Sequence, residues 1–346
     1  MRESGVVIIG AGPAGLAAAA CLGRRGIESR LLDRSGQPGG AYRRMSESIT
    51  LASPTDLNAL PGLPLEIDAE YTTVPQYRAY LDRYAAHFAL RTQRADVSRI
   101  EQTGVGFTVR TGDETLAAFA VVVATGMWDY PREVHPGGEL PAIHAARWRG
   151  PAGERRLLVI GGGTTGIEVA TEAARAGVEV ILSVRRPLRI LPQRLLGRDL
   201  HRYGALLERL PVWLARRYCA QHPTLPGTDL GFSQLRRAGR IDVRPAISAI
   251  EGKRVRFADG SEAQADAVVA ATGYRFDTPF LPPEVARAPA GHLEARGAES
   301  VSWPGLFVLG TPCAAGLDSH FLRGIARDAE MVASRIAALS LKRGAS

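Results

Sequence analysis

Lysine is almost missing from this sequence of 346 residues. Lys253 and Lys342 stand alone, so the 43 basic residues are nearly all arginine. The arginines are scattered through every segment and gather in no arm or face. The net charge of +8 therefore makes no nucleic-acid footprint, and no nucleic-acid partner is expected. Cysteine is scarce. Cys21, Cys219 and Cys313 are far apart and form no C-x-x-C, which excludes the usual dithiol redox motif and a zinc framework. Packing is the expected role of Cys21 and Cys313. The seven histidines and the carboxylates show no metal-ligand spacing, and no metal is expected. No apolar run reaches the ~18 residues that would span a membrane. The first strand begins too early to leave room for a signal peptide, so a cytoplasmic protein is expected. Asparagine occurs once, as Asn58.

Apolar residues make up 45% of the chain, enough for packed cores, and the length suggests about two domains. The informative stretch is Val6-Val7-Ile8-Ile9 running into Gly10-Ala11-Gly12-Pro13-Ala14-Gly15. A buried strand followed by G-x-G-x-x-G and an alanine-rich helix is the dinucleotide fingerprint. Gly10 permits the tight turn, Gly12 lets the backbone approach a pyrophosphate, and Gly15 lets helix and strand pack closely. The anion sits on free N–H groups at the positive helix end. A second strand ends at Asp33, eighteen residues after Gly15, where an acid holds a ribose hydroxyl pair. Arg34 opens a glycine-rich loop through Gly40, Ala41 and Tyr42 that suits close approach to a planar ring. Tyr77, Tyr80, Leu81, Tyr84 and Phe88 recur at helical spacing and read as core.

The pattern then repeats. Residues 118–126 form a buried strand ending in Ala124-Thr125-Gly126. Residues 156–160 and Gly161-Gly162-Gly163-Thr164-Thr165-Gly166 restate the fingerprint, with a helix over 167–176 and a strand over 178–184. Where the first unit has an acid, the second has Ser183-Val184-Arg185-Arg186. A cation there suits a ribose 2′-phosphate, so NADPH is expected over NADH. Ala271-Thr272-Gly273 repeats the A-T-G strand end. A last core strand reaches Gly310, and a terminal helix beginning near Leu322 aims its positive end at the preceding strand. Residues 188–221 read as an arginine- and leucine-rich connection and helix with no assigned chemistry.

Two fingerprints, each followed by an A-T-G end, predict an α/β fold of two Rossmann-like dinucleotide-binding domains, the second inserted into the first. The boundaries fall at 1–150, 151–275 and 276–346. At this point the sequence resembles the two-dinucleotide-binding flavoproteins, and within them the flavin-containing monooxygenases of the YUCCA-like bacterial branch. The resemblance rests on Val123-Ala124-Thr125-Gly126-Met127-Trp128, Arg189-Ile190-Leu191-Pro192, Leu196-Gly197, Leu210-Pro211, Ala271-Thr272-Gly273-Tyr274, Pro279-Phe280-Leu281, Gly324 and Asp328-Ala329. It implies a glutathione-reductase-like fold with FAD on the first unit, NADPH on the second, and oxygen activation at the flavin C4a. A small organic substrate is then oxygenated at nitrogen, sulfur, a carbonyl or an activated carbon.

Carried over by the resemblance, Gly10, Gly12, Pro13, Ala14 and Gly15 meet the FAD pyrophosphate, with Asp33 and Arg34 at its ribose. Gly40, Ala41, Tyr42 and Ser53 flank the ring, and Val97 touches adenine. Thr125, Gly126, Gly310 and Leu322 complete the FAD site. Gly161, Gly163, Thr164, Thr165 and Gly166 hold NADPH phosphates, Ser183, Arg185 and Arg186 the 2′-phosphate, and Thr272 and Gly273 close that site. His320, just before the terminal helix, has a packing or hydrogen-bonding role as its first reading, with a proton shuttle near the ring as the alternative. In the family signature F-x-G-x-x-x-H with an aromatic four residues later, His144 and Trp148 fit while Gly138 and Leu140 replace Phe and Gly. Ala52 stands where many members carry an asparagine beside the flavin. An NADPH-dependent reductase or dehydrogenase without a dithiol is the alternative on the same scaffold.

Overall fold

The computed structural model of the protein describes residues 2–134, 137, 139–207 and 227–344. Gly138, Leu210-Pro211 and Cys219, named above, lie outside them. The first strand, Arg2–Ile9, runs parallel to Ser29–Asp33 on one side and Thr115–Val123 on the other, with Ile9 opposite both Leu32 and Val123. Val6, Val7 and Ile8 are fully buried, which is why this strand reads as a continuous apolar run. Thr92–Arg94 and Leu306–Val308 extend the parallel sheet outward in the two directions. The chain thus returns to its first sheet, at Ala295, about 170 residues after leaving it at Val123.

A second parallel sheet has the order Ile241–Arg244, Glu179–Ser183, Arg156–Ile160, Ala267–Ala270, Ala142–His144. Ile160 lies opposite both Ser183 and Ala270, the same relation that Ile9 has to its neighbours. By pairing, Ala142–His144 belongs to this sheet although it precedes residue 150. Each unit also carries an antiparallel meander. In the first it is Val97–Thr103, Gly106–Thr111 and Thr115–Val123; in the second, Ile247–Glu251, Arg254–Phe257 and Glu262–Gln264.

The helix after the first strand, Pro13–Gly23, is alanine-rich and buried from Ala14 to Leu22. Its small side chains let it lie between the sheet and the terminal helix Leu322–Gly344, which buries Ala329, Val332 and Ile336. The tyrosine-bearing helix, Val74–His87, starts at a capping box in which Thr73 and Gln76 satisfy each other's backbone N–H groups. Its core role is as expected, but its hydroxyls do more. Tyr77, Tyr80 and Tyr84 donate to the carbonyls of Asn58, Leu63 and Pro61 at 3.2, 2.8 and 2.7 Å, and so pin the proline-punctuated loop. The helix expected over 167–176 starts earlier, at Thr164, directly on the glycine turn. The described part of 188–221 is more structured than expected, with strands Ile190–Pro192, Arg194–Leu195 and Arg198–Asp199 before a helix Leu200–Leu207. No helix among the described residues is long and apolar enough to cross a membrane.

Candidate active site

The two glycine turns are built alike. Gly10 has φ 104°, and a Cβ there would meet the Ala124 carbonyl at 2.4 Å; Gly161 has φ 118° and faces the Ala271 carbonyl at 2.3 Å. A Cβ on Gly15 would fall 1.8 Å from the Gly10 oxygen, and one on Gly166 would fall 1.9 Å from the Gly161 oxygen. Helix and strand therefore touch with no space for a methyl group. The middle glycines differ. Around Gly163 nothing lies within 4 Å, and around Gly12 only the Gly40 Cα comes near, at 3.9 Å. These are open cradles where a phosphate can approach the backbone. No side chain caps either helix, so the first-turn N–H groups remain for an anion.

Asp33 sits at the end of its strand as expected. Its Oδ2 accepts from Ala11 N at 2.8 Å, and its Oδ1 accepts from Ser35 N and Ser35 Oγ at 2.8 and 2.6 Å. Of about four acceptor positions on a carboxylate, one remains open. Arg34 and Arg44 both pair with Asp129, which ties the glycine-rich loop to the segment after the first A-T-G end. Gly40, Ala41 and Tyr42 fall in a single 3₁₀ turn, Gly40–Arg43, and the Tyr42 ring packs on Tyr77 at 4.8 Å. Ser53 donates to Asn58 Oδ1 at 2.6 Å, so the single asparagine is a buried brace for that strand. Val97 is buried at the start of the meander. Two polar atoms on a small cavity beside Thr125 and Gly126, Thr311 Oγ1 and His292 Nδ1, are buried without a partner. Gly310, at φ 74°, directs the chain there, and Leu322 opens the helix beyond. Open cradle, uncapped helix and unpartnered polar atoms together fit FAD on the first unit.

On the second unit, Arg185 and Arg186 are exposed and form no ion pair among the described residues. They are free to meet a phosphate. Ser183 is different. Its hydroxyl is buried and donates to the Pro245 carbonyl at 2.8 Å, so its only hydrogen is committed inside the fold. The expectation that it holds the 2′-phosphate is not supported by this geometry, because a phosphate needs a donor. Thr164, Thr165 and Gly166 form the first helical turn. In the same helix Glu168 has its carboxyl pushed up to about 7 by burial, with Glu172 adding to the effect.

The two A-T-G ends are tied together. Arg132 N donates to the Gly273 carbonyl at 2.9 Å, Arg275 N to Tyr130 O at 2.8 Å, and Thr272 Oγ1 to Arg132 O at 2.5 Å. The carboxyl ends of both parallel sheets therefore lead into one junction, where ligands bind in open α/β sheets. His144 anchors it. Ala146 N donates to His144 Nδ1 at 3.1 Å, which leaves Nε2 to carry the proton and donate to Gly273 O at 3.1 Å. Burial holds this imidazole below the usual histidine range, so it is neutral. Trp128 and Tyr274 meet edge to face at 4.9 Å beside it.

His320 lies against Phe321 with ring centroids 4.2 Å apart, and its Nδ1 is buried without a partner. Burial first, and the Arg323 guanidinium second, push its pKa down to about 4. A histidine this weakly basic stays neutral near pH 7 and can accept a hydrogen bond. A polar cluster invisible in the sequence pattern joins the units on the other side. Tyr71 Oη donates to Asp199 Oδ2 at 2.6 Å, and Gln193 Nε2 reaches Tyr71 Oη at 3.1 Å and the Ala52 carbonyl at 3.3 Å.

Residues 7–192 match the family described as pyridine nucleotide-disulphide oxidoreductase. The chain is 33% identical over 321 residues to the indole-3-pyruvate monooxygenase YUCCA1 of Oryza sativa, covering 80% of this chain and 78% of the rice protein. It is 29% identical over 345 residues to an uncharacterized CzcO-like oxidoreductase of Geobacillus kaustophilus, covering 96% and 97% of the two. The flavin-containing monooxygenase of Stenotrophomonas maltophilia superposes with a TM-score of 0.82 at 26% identity, over 98% of this chain and all of that one.

Proposed function

The chain belongs to the flavin-containing monooxygenases within the pyridine nucleotide-disulphide oxidoreductase family, and we propose that it oxygenates a small carbonyl compound, with FAD held as the glycine turns indicate. It is an NADPH-dependent flavin monooxygenase acting on a small molecule and O₂. Bound flavin supplies the redox chemistry, with the balance substrate + O₂ + NADPH + H⁺ giving oxygenated substrate + H₂O + NADP⁺.

The supporting observation is the pair of open cradles at Gly12 and Gly163 whose sheets run into one tied junction. In this reading residues 1–150 and 276–346 make the FAD domain and 151–275 the NADPH domain, with Ala142–His144 lent to the second sheet. Gly10, Gly12, Pro13, Ala14 and Gly15 receive the pyrophosphate on backbone N–H groups. Asp33 and Arg34 take the ribose side, Gly40, Ala41, Tyr42 and Ser53 the ring side, and Val97 adenine. Thr311 joins Thr125, Gly126, Gly310 and Leu322 as a donor with no other partner. Gly161, Gly163, Thr164, Thr165 and Gly166 receive the NADPH phosphates, Arg185 and Arg186 hold the 2′-phosphate, and Thr272 and Gly273 lie at the junction. His320 serves as a neutral hydrogen-bonding wall. The protein's share of catalysis is to orient both nucleotides, exclude water and hold the junction rigid.

Indole-3-pyruvate is the first substrate to assay, because it is named for the rice relative. Purified, FAD-loaded protein is mixed with NADPH and indole-3-pyruvate, and NADPH consumption is measured against product. Consumption matched by oxygenated product supports the reading; consumption that ends only in hydrogen peroxide with every carbonyl compound tried removes the substrate class. We also propose a cytoplasmic location. We propose no nucleic-acid partner, since the arginines are dispersed among ion pairs such as Arg156–Glu179 and Arg202–Asp56.

A further inference from the structure

The tied A-T-G ends are one attachment between the units, and the segment after Arg186 makes a second. It starts on the second glycine turn. A Cβ on Gly162 would fall 2.6 Å from Leu188 Cδ2, so the Leu188 side chain packs on that turn. Ile190–Pro192 then pairs with Gly227–Asp229, and Gly227 is pressed on the start of the helix: its Cβ would meet Ile167 Cδ1 at 2.3 Å and Thr164 Cα at 3.8 Å. This stretch is seated on the NADPH cradle. Directly afterwards the chain grips the first unit, where Gln193 Nε2 donates to the Ala52 carbonyl at 3.3 Å. Arg194–Glu70 and Arg202–Asp56 flank the contact, but exposed ion pairs of this kind are worth little. Asp199 is its centre. Only 2% exposed, it accepts from Tyr71 Oη at 2.6 Å, His201 N at 2.7 Å, His201 Nδ1 at 3.0 Å and Gln193 Nε2. Burial alone would raise this carboxyl, but the bonds from Tyr71, His201 and Gln193 hold it below its ordinary value, so it is charged near pH 7. Of these four donors only Tyr71 belongs to the first unit, and a hydrogen bond to a charged acceptor is one of the strong ones. His201, fixed by the same carboxylate, sets its ring edge-on against Phe321 of the first unit at 6.2 Å.

Two bodies joined at one place can turn about it, and a second attachment removes that freedom. The linkers 130–132 and 273–275 pair as a short antiparallel ribbon, which is such a single joint. We propose that Asp199 is a positioning residue for flavin reduction: through Tyr71 it locks the NADPH-binding unit at the angle that presents the nicotinamide to the flavin. The inference rests on the monooxygenase reading, which puts the flavin ring near Ser53 in the strand Thr50–Pro54 that Gln193 reaches. Reduction passes one hydride from NADPH to FAD and leaves NADP⁺, and its rate falls steeply when the two rings are misplaced. Asp199 acts through the angle between the units and not by contact with either nucleotide.

The test is anaerobic stopped-flow reduction of the FAD-loaded enzyme, with flavin bleaching followed over a range of NADPH concentrations. It yields the limiting rate constant separately from the dissociation constant for NADPH. Tyr71→Phe removes the hydroxyl that crosses between the units and leaves Asp199 its other donors. The limiting rate constant is expected to fall about tenfold, since a misplacement of ~1 Å can cost ~100-fold, while the dissociation constant and FAD content stay within about twofold of wild type. Asp199→Asn is expected to do the same. The double variant is expected to be no slower than the slower single one, because both act through one contact. If Asp199→Asn does not retain FAD, Tyr71→Phe decides alone. A limiting rate unchanged in Tyr71→Phe overturns the proposal. So does a fall matched by equal weakening of NADPH or FAD binding, which marks a merely structural contact. Wild type that bleaches beside an equally fast variant sinks this inference alone, whereas wild type that NADPH does not bleach removes the reading beneath it.

Discussion

Gly15 and Gly163 differ in what a methyl group would meet, and that difference separates folding from binding. Gly15→Ala puts a carbon 1.8 Å from the Gly10 oxygen, so the strand and helix must part. A loss of about 3 kcal/mol in urea unfolding is expected, with FAD no longer retained. Gly163→Ala meets nothing within 4 Å, so urea stability stays near wild type while NADPH binding weakens. Equal stability losses in both variants would contradict the assignment of the open glycine as a phosphate cradle. Arg185 and Arg186 carry the second residue-scale prediction. Replacing both by alanine is expected to cut the preference for NADPH over NADH in flavin reduction by about tenfold to a hundredfold, the worth of one charge-assisted contact. A preference that survives would assign the 2′-phosphate elsewhere. His320 carries the third. Its folded pKa, about 4, lies below the ~6.5 of an unfolded histidine, so between these values the unfolded chain binds the extra proton. Stability from this group is complete above pH ~6.5 and is lost as pH falls towards 4. His320→Gln is expected to flatten the decline of Tm over that window, and an unchanged decline would show that other groups cause it.

At the scale of elements, the junction between the A-T-G ends rests on His144, which serves two backbone groups at once. His144→Phe keeps the ring but leaves Ala146 N and one bond to Gly273 O unmade, at a cost of about 2 kcal/mol. A drop in Tm with both nucleotide sites loosened is expected; weakening of only one site would mean that the junction does not couple them. Both strand-turn-helix units were legible in sequence because each is local, a strand and a helix joined by three residues whose glycines answer to nearby backbone. The tyrosine helix was legible as core by its period, but its hydroxyl bonds to the 58–63 loop were not. The Gln193 cluster left no trace in the sequence, since Tyr71 is 122 residues from Gln193 and 128 from Asp199. Ser183 was placed on the 2′-phosphate by the resemblance alone, and the hydrogen bond from its hydroxyl to the Pro245 carbonyl was not legible in the sequence.

In the whole molecule, two nucleotide-binding units are joined so that electrons from NADPH end in oxygen transfer to a small organic molecule. The doubled sheets, their matching registers at Ile9 and Ile160, and the tied strand ends all serve that coupling. The direct measurement is turnover of the FAD-loaded protein with NADPH and indole-3-pyruvate under ¹⁸O₂, followed by mass spectrometry of the organic product. One ¹⁸O atom in the product is expected for each NADPH consumed. NADPH-dependent conversion that proceeds equally well without oxygen, with no label in the product, would contradict it and leave a reductase on the same fold.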